Sequence, residues 1–357
     1  MKTAIVHDWL LSHGGAEEVL QAIWEVVPSP IYTLLHQKSV TFPHVKSSFL
    51  QKIPFATKYH RMLLPLFPKA ISSFDLQDVD LIISSSHAVA KGVKKHPRQQ
   101  HLCYCHTPMR YIWDLEEEYT ASFSRLKKRL VGNIFRKLRT WDLSTAQNID
   151  LFLANSHYIA NRIARCYHRQ AHVLYPPVDI DAFYLSPDRE RYFVTHARLV
   201  PYKRLDLLIE TFTHLPNERL LIIGSGPMAH VLRKRASHNI EFLGFQPKQE
   251  LAYLLSKARA YLFCAKEDFG ISVVEAQSSG LPVIALGQGG VLETVIDQKT
   301  GLFFKETTVA SILDAIHRFF AIEETFDPHF LRLHSQQFHK KHFMKQFSAI
   351  VQSMCDT

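Results

Sequence analysis

Apolar residues in this chain fall in short runs separated by amphipathic stretches, and the alternation persists along almost its whole length. "TAIVHDWL", starting at Thr3, reads as a strand, and "AEEVLQAIWEVV" behind it as a helix of period 3.6. "DLIISSSH", "QHLCYCH" and "DLFLANS" read as further strands, and "HYIANRIARCY" as a helix. Past "AHVLYPPVD" the pattern resumes: strand "RYFVTHARL", helix "RLDLLIETFTHL", strand "RLLIIGSG", helix "MAHVLRKRA" and strand "IEFLGF". Helix "KQELAYLLSKA", strand "RAYLFCA", helix "ISVVEAQSSG" and strand "LPVIAL" follow, and the tail "LHSQQFHKKHFMKQFSAIVQSM" reads as helical. Such alternation predicts an α/β protein with parallel sheets and crossover helices. "YPPVD" (Tyr175 to Asp179) carries two prolines that break regular structure and marks the best internal boundary. The expected organisation is two Rossmann-like domains, 1–175 and 176–335, facing across a cleft, with a helix over 336–357 that returns to the first. Ligands in such folds bind at the carboxyl ends of the strands, where loops meet helix N-termini.

Composition narrows the picture. Of 357 residues, 46% are hydrophobic and 21% charged, as in a water-soluble globular protein. No apolar run approaches the ~20 residues of a membrane-spanning helix, and the N-terminus does not read as a signal peptide. Five cysteines, odd in number and irregularly spaced, suggest reduced thiols and a cytoplasmic protein. "CYCH" lacks a second ligand pair at zinc spacing, so no metal is expected. The net charge of +9 favours an anionic partner without choosing among nucleic acid, phosphorylated substrate and acidic membrane.

The loops carry the candidate chemistry. In "HARLVPYKR", Arg198 and Lys203 follow a strand and precede a helix, a setting suited to a diphosphate; two solvated surface cations are the alternative. "IIGSGPM" sets Gly224 and Gly226 in a strand-to-helix turn, but the third glycine of a dinucleotide fingerprint is missing. "ALGQGGVLETV" (Gly287, Gly289, Gly290) and "SHGGAEEVL" (Gly14, Gly15) each place glycines before a helix, where backbone N–H groups could approach an anion. His106 ends the strand of "CYCHTPMRYIWD" and could bond a substrate hydroxyl. Glu267 and Glu275 stand eight positions apart in "EDFGISVVE", flanking a predicted helix start. "SRLKKRLVGNIFRKLRTW" (Ser124 to Trp141) repeats Leu126, Leu130, Ile134 and Leu138 among basic residues. It reads equally as an interfacial helix on anionic lipid or as a helix packed on its own domain. The apolar, basic "KYHRMLLPLFPKA" (Lys58 to Ala70) adds a little to the membrane reading.

Together these stretches resemble the retaining nucleotide-sugar glycosyltransferases of the GT-B fold, in the group marked by a Glu-x7-Glu signature. "HARLVPYKR", "LLIIGSGP", "IEFLGF", "AKEDFGISVVEAQSSGLPVIA" and "GGVLETVIDQKTGLFF" occur in the order and spacing that family shows. The N-terminal motifs look closest to bacterial mannosyltransferases of surface-polysaccharide and lipopolysaccharide assembly. The resemblance implies an N-terminal acceptor domain and a C-terminal donor domain. It implies that Arg198 and Lys203 bind the donor diphosphate, that Glu275 holds the ribose diol, and that Glu267 and His106 face the donor sugar. Backbone amides of Phe269, Gly270 and Ile271 would contact the sugar or phosphate, and Gly15 and Gly224 would line the donor. Asp78–Asp80 and Asp179–Asp181 match a metal-binding Asp-x-Asp pattern, but neither ends a strand at the cleft, and both read as capping or turn residues.

The expected reaction is metal-independent, retaining transfer of a hexose, foremost mannose from GDP-mannose, to a lipid-linked or growing surface glycan. Donors carrying UDP with glucose, galactose or N-acetylglucosamine are the alternatives. No cofactor is expected; cations and helix N-termini would stabilise the leaving diphosphate. The expected location is the cytoplasm, with a peripheral contact at the inner face of the membrane. A nucleic-acid-binding protein would explain the charge but none of the loops. A non-catalytic glycan-binding relative would not need Arg198, Lys203, Glu267 and Glu275 together.

Overall fold

The computed structural model describes residues 2–356 except residues 115, 117–119, 121 and 122. The chain divides into two compact units, Met1–Tyr175 with Phe343–Thr357, and Pro176–His342. Each is built on one parallel sheet.

In the first unit the strands are β1 (Thr3–His7), β2 (Ile31–Thr33), β3 (Val45–Ser47), β4 (Leu81–Ser86), β5 (Gln100–Cys105), β6 (Leu151–Ala154) and β7 (His172–Val173). Their order is β3-β2-β1-β4-β5-β6-β7, and every pairing is parallel. The strand order reverses between β1 and β4, the point where doubly wound sheets open a crevice for ligands. β1, β4 and β5 read as nearly unbroken apolar or small runs because helices cover both faces of the sheet.

In the second unit the strands are β8 (Tyr192–His196), β9 (Arg219–Ile223), β10 (Ile240–Gly244), β11 (Ala260–Phe263), β12 (Val283–Leu286) and β13 (Gly301–Phe304). The order β10-β9-β8-β11-β12-β13 repeats the same winding, with its reversal between β8 and β11. Its two core layers centre on Phe193, Leu208, Phe212 and Phe319 on one face, and on Val194, Tyr261, Val273 and Val283 on the other.

Several details differ from the sequence reading. The second unit runs on through His342 rather than ending at 335. Phe338 packs edge-on against Phe269 at 5.3 Å, and its carbonyl accepts from the Val178 N–H, so this segment is tied to unit two. A 3-10 turn fills Gln336–Phe338, and the closing helix spans Lys340–Cys355. From Phe343 on, this helix buries Phe343, Phe347 and Val351 against Ile5, Leu20 and Tyr104 of the first unit. The basic helix extends over Arg125–Ala146, beyond Trp141. Its apolar line splits: Leu138 and Phe135 are buried, whereas Leu126 and Leu130 are 81% and 63% exposed. Gly287, Gly289 and Gly290 precede only one helical turn, Val291–Thr294. The Gly290 N–H is already donated to the Glu267 carbonyl at 2.9 Å. Asp179 precedes a 3-10 turn without capping it; it pairs with Lys248 at 3.0 Å, and Asp181 with His339 at 3.1 Å.

Candidate active site

In the second unit the candidate residues gather beyond the carboxyl ends of β8 and β11, the two strands that flank the reversal. β8 ends at His196, and the loop beyond it carries Arg198 and a single 3-10 turn, Pro201–Lys203. Arg204 then adopts a left-handed conformation, φ 53°, that redirects the chain into the helix Leu205–Thr213. The Gly224–Gly226 turn lies against this loop. A Cβ on Gly224 would stand 2.0 Å from the Ala197 carbonyl, and one on Gly226 2.4 Å from that of Leu199. The glycines therefore let two backbones touch, which fixes the loop bearing Arg198.

β11 leads into Glu267, whose carbonyl holds the Gly290 N–H. Gly270, at φ 93°, then starts the helix Ile271–Ser278. The Val273 N–H is donated to the Gly270 carbonyl at 2.9 Å, and the helix start presents a positive dipole end. Phe269 is buried against Phe338, so its side chain supports the turn while its backbone stands at the helix start.

Two carboxylate pairs follow from this placement. Lys203 Nζ lies 2.7 Å from Glu267 Oε1, with both side chains largely buried. Burial alone would lower the Lys203 pKa, but the Glu267 carboxylate together with Tyr202 and Tyr261 outweighs it and the ammonium is held above its ordinary range. His196 Nε2 lies 2.8 Å from Glu275 Oε2. The His196 backbone is fixed in turn by Tyr261, whose hydroxyl donates to the His196 carbonyl at 3.0 Å. Arg198 is exposed, and no carboxylate among the described residues pairs with it. Lys203, paired with Glu267 from the segment after β11, thus shares its loop with the exposed guanidinium of Arg198. The structure brings Lys203 to Glu267, and the sequence reading had not paired Glu275 with His196. The missed signal was the position of His196 as the last residue of its strand.

In the first unit the carboxyl ends of β1, β4 and β5 hold a buried polar cluster. His106 Nε2 lies 2.8 Å from Ser85 Oγ, and Ser85 Oγ 3.1 Å from His7 Nδ1. His7 Nε2 faces Glu17 Oε1 at 3.9 Å. Glu17 belongs to the first turn of the helix Gly15–Val26, which starts at the Gly14–Gly15 pair. Burial, then the neighbouring His87 and His7, push the His106 pKa well below the usual imidazole range, so the ring is neutral. Asp8 accepts from the backbone N–H groups of His87, Ala88, Val89 and Ala90 at 2.6–2.9 Å and locks the loop after β4. Of these residues, only His106 and the Gly14–Gly15 pair stood out in the sequence as candidates. Cys103 and Cys105 are free and buried, and burial lifts the Cys103 thiol to about 12, which makes them packing residues. Among the described residues, no three His, Cys, Asp or Glu side chains converge as a metal-binding set.

Residues 179–327 match the family profile described as glycosyl transferases group 1, and residues 30–182 match glycosyltransferase family 4. The chain belongs to the GT-B glycosyltransferases. Solved structures of the same fold include Anabaena HepE in complex with UDP and glucose, at TM-score 0.75 and 18% identity, covering 99% of this chain and 100% of that one. Sucrose-phosphate synthase from Thermosynechococcus elongatus superposes at TM-score 0.78 and 17% identity, covering 100% of both chains. In sequence, this glycosyltransferase is 33% identical over 192 residues to the GDP-mannose-dependent alpha-(1-6)-phosphatidylinositol monomannoside mannosyltransferase of Mycolicibacterium smegmatis. That match covers 45% of this chain and 50% of that protein, so the glycosyltransferase spans about half the length of the curated relatives it matches.

Proposed function

We propose that the chain transfers mannose from GDP-mannose, with retention and without a metal ion, to a lipid-linked or growing surface glycan. The observation that carries this reading is the loop after β8, where Lys203 is held by Glu267 while Arg198 stays open to solvent. Arg198 and the start of the helix Ile271–Ser278 would meet the diphosphate, and Lys203 would stabilise the charge that grows on it as the sugar leaves. Glu275, oriented by His196, would accept from the two ribose hydroxyls. Glu267 would position the sugar, and His106 would accept from one of its hydroxyls. Amides at Phe269, Gly270 and Ile271, with Gly15 and Gly224, would complete the donor contacts. The mannosyl donor and the lipid acceptor are supported by the mycobacterial relative's description.

A peripheral contact with anionic membrane at the cytoplasmic face belongs to the same reading. Its support is the exposed start of the helix Arg125–Ala146, where Leu126 and Leu130 stand among Arg125, Lys127, Lys128 and Arg129, and the exposed Phe55, Tyr59 and Met62. Among the described residues no helix is long and apolar enough to cross a membrane.

A UDP-sugar donor is the second reading, favoured by the UDP-bound Anabaena structure. Thermal-shift measurements with GDP, UDP, CDP and NAD separate the two, followed by transfer assays with GDP-mannose. Stabilisation by GDP alone is expected; a response to UDP alone shifts the donor. Transfer should persist in EDTA, and its loss there would overturn the metal-free mechanism.

A further inference from the structure

We infer that Glu17, His7 and Ser85 act as a directional relay that holds His106 as the Nε2–H tautomer and presents its bare Nδ1 to a sugar hydroxyl. The role of His106 rests on the reading above; the wiring rests on the cluster itself.

His7 and Ser85 are register partners on the adjacent strands β1 and β4, and His106 stands one residue past β5, the next strand over. Ser85 Oγ therefore bridges two imidazole nitrogens, His106 Nε2 at 2.8 Å and His7 Nδ1 at 3.1 Å. A hydroxyl has one proton, so it donates to one ring and accepts from the other. Two wirings are open, and they leave His106 in opposite tautomers.

Glu17 decides between them. Its carboxylate faces His7 Nε2, and a negative charge there favours a proton on that nitrogen. Burial opposes ionisation of Glu17, but His7, His87 and a backbone hydrogen bond together keep the carboxyl below its ordinary range. With the ring's single proton on Nε2, His7 offers a bare Nδ1. Ser85 then donates to His7 and accepts from His106 Nε2–H. His106 Nδ1 is left with its lone pair, and it has no hydrogen-bond partner among the described residues. Asp8, the other buried carboxylate nearby, is occupied by four backbone N–H groups and by His87 Nδ1 at 3.2 Å, so it does not compete for His7. Glu17, His7 and Ser85 are positioning residues: none needs to touch substrate.

The test is long-range proton–nitrogen NMR on the full chain labelled with 15N-histidine, with His106→Gln used to identify the His106 signals. The expected spectrum has a pyrrole-type Nε2 and a pyridine-type Nδ1 for His106. In Glu17→Gln the charge is gone and His106 Nε2 should move toward the pyridine type; Glu17→Asp should restore it in part. Ser85→Ala should produce the same movement by cutting the bridge. A pyridine-type Nε2 in the unaltered protein overturns the relay even if no variant folds. Unmoved His106 nitrogens in both Glu17→Gln and Ser85→Ala overturn it as well. These signals do not depend on any sugar nucleotide, so failure of the relay and failure of the transferase reading are distinguishable.

Discussion

The two units share a winding and differ in how they keep polar groups at the end of the sheet. The first unit holds a hydrogen-bonded chain of two imidazoles and a hydroxyl, buried behind β1, β4 and β5. The second holds the Lys203–Glu267 ion pair and a hydrogen bond between His196 and Glu275, with Arg198 open to solvent. A hydrogen-bonded chain fixes geometry, whereas an ion pair supplies field where charge must develop. The first arrangement suits orienting a group and the second suits neutralising one.

That contrast can be broken at its anchors. All four tryptophans, Trp9, Trp24, Trp113 and Trp141, lie in the first unit, so their fluorescence reports that unit alone. Asp8→Ala strands four backbone N–H groups and should destabilise the first unit by about 4 kcal/mol or more, read as an early fluorescence transition in urea. Lys203→Ala leaves Glu267 without its cation. It should cost the second unit about 2 kcal/mol and cut transfer by at least about a hundredfold. Adding Glu267→Gln should restore the stability, followed by circular dichroism, without restoring transfer.

Acid should separate the units next. His87, His101 and His106 of the first unit are all held below the ordinary imidazole value, His101 at about 3, primarily by burial. A histidine depressed in the fold stays neutral there while the unfolded chain takes up protons, so stability falls as pH drops from 6.5 toward the folded value. For His101 alone the loss between pH 6.5 and 5 is about 2 kcal/mol. The second unit has one histidine shifted in that direction, the half-buried His334. The tryptophan transition should therefore move with acid further than the rest of the circular dichroism signal; equal movement would erase the distinction.

Smaller effects sharpen it. Arg198→Ala should weaken GDP binding about tenfold while leaving stability within about 0.5 kcal/mol, checked by titration calorimetry. Unchanged affinity would remove Arg198 from the phosphate site. Leu126→Asn with Leu130→Asn should change stability least of all, yet release the chain from vesicles of anionic lipid in a sedimentation assay.

Much of this was legible in the residues. Short apolar runs located the central strands, because parallel strands buried on both faces read that way, and the 3.6 period located most helices, though not the helix Val309–Ile322. β2 and β3 escaped because three residues carry no usable period. Lys203 and Glu267 were both visible as candidates, but nothing in the chain says that residues 64 positions apart will pair. The relay was hidden more deeply. His7 and Asp8 look like interruptions of an apolar run until β1 is laid beside β4, and a serine in "ISSSH" carries no sign that it will bridge two rings.

The closing helix has a bearing on how the molecule is made. Phe343, Phe347 and Val351 complete a core whose other walls, Ile5, Leu20 and Ile83 among them, leave the ribosome hundreds of residues earlier. The unit that is synthesised first is thus finished last. While the second unit emerges and folds as its own body, the first must wait with an apolar face uncovered, the kind of surface that invites chaperone binding.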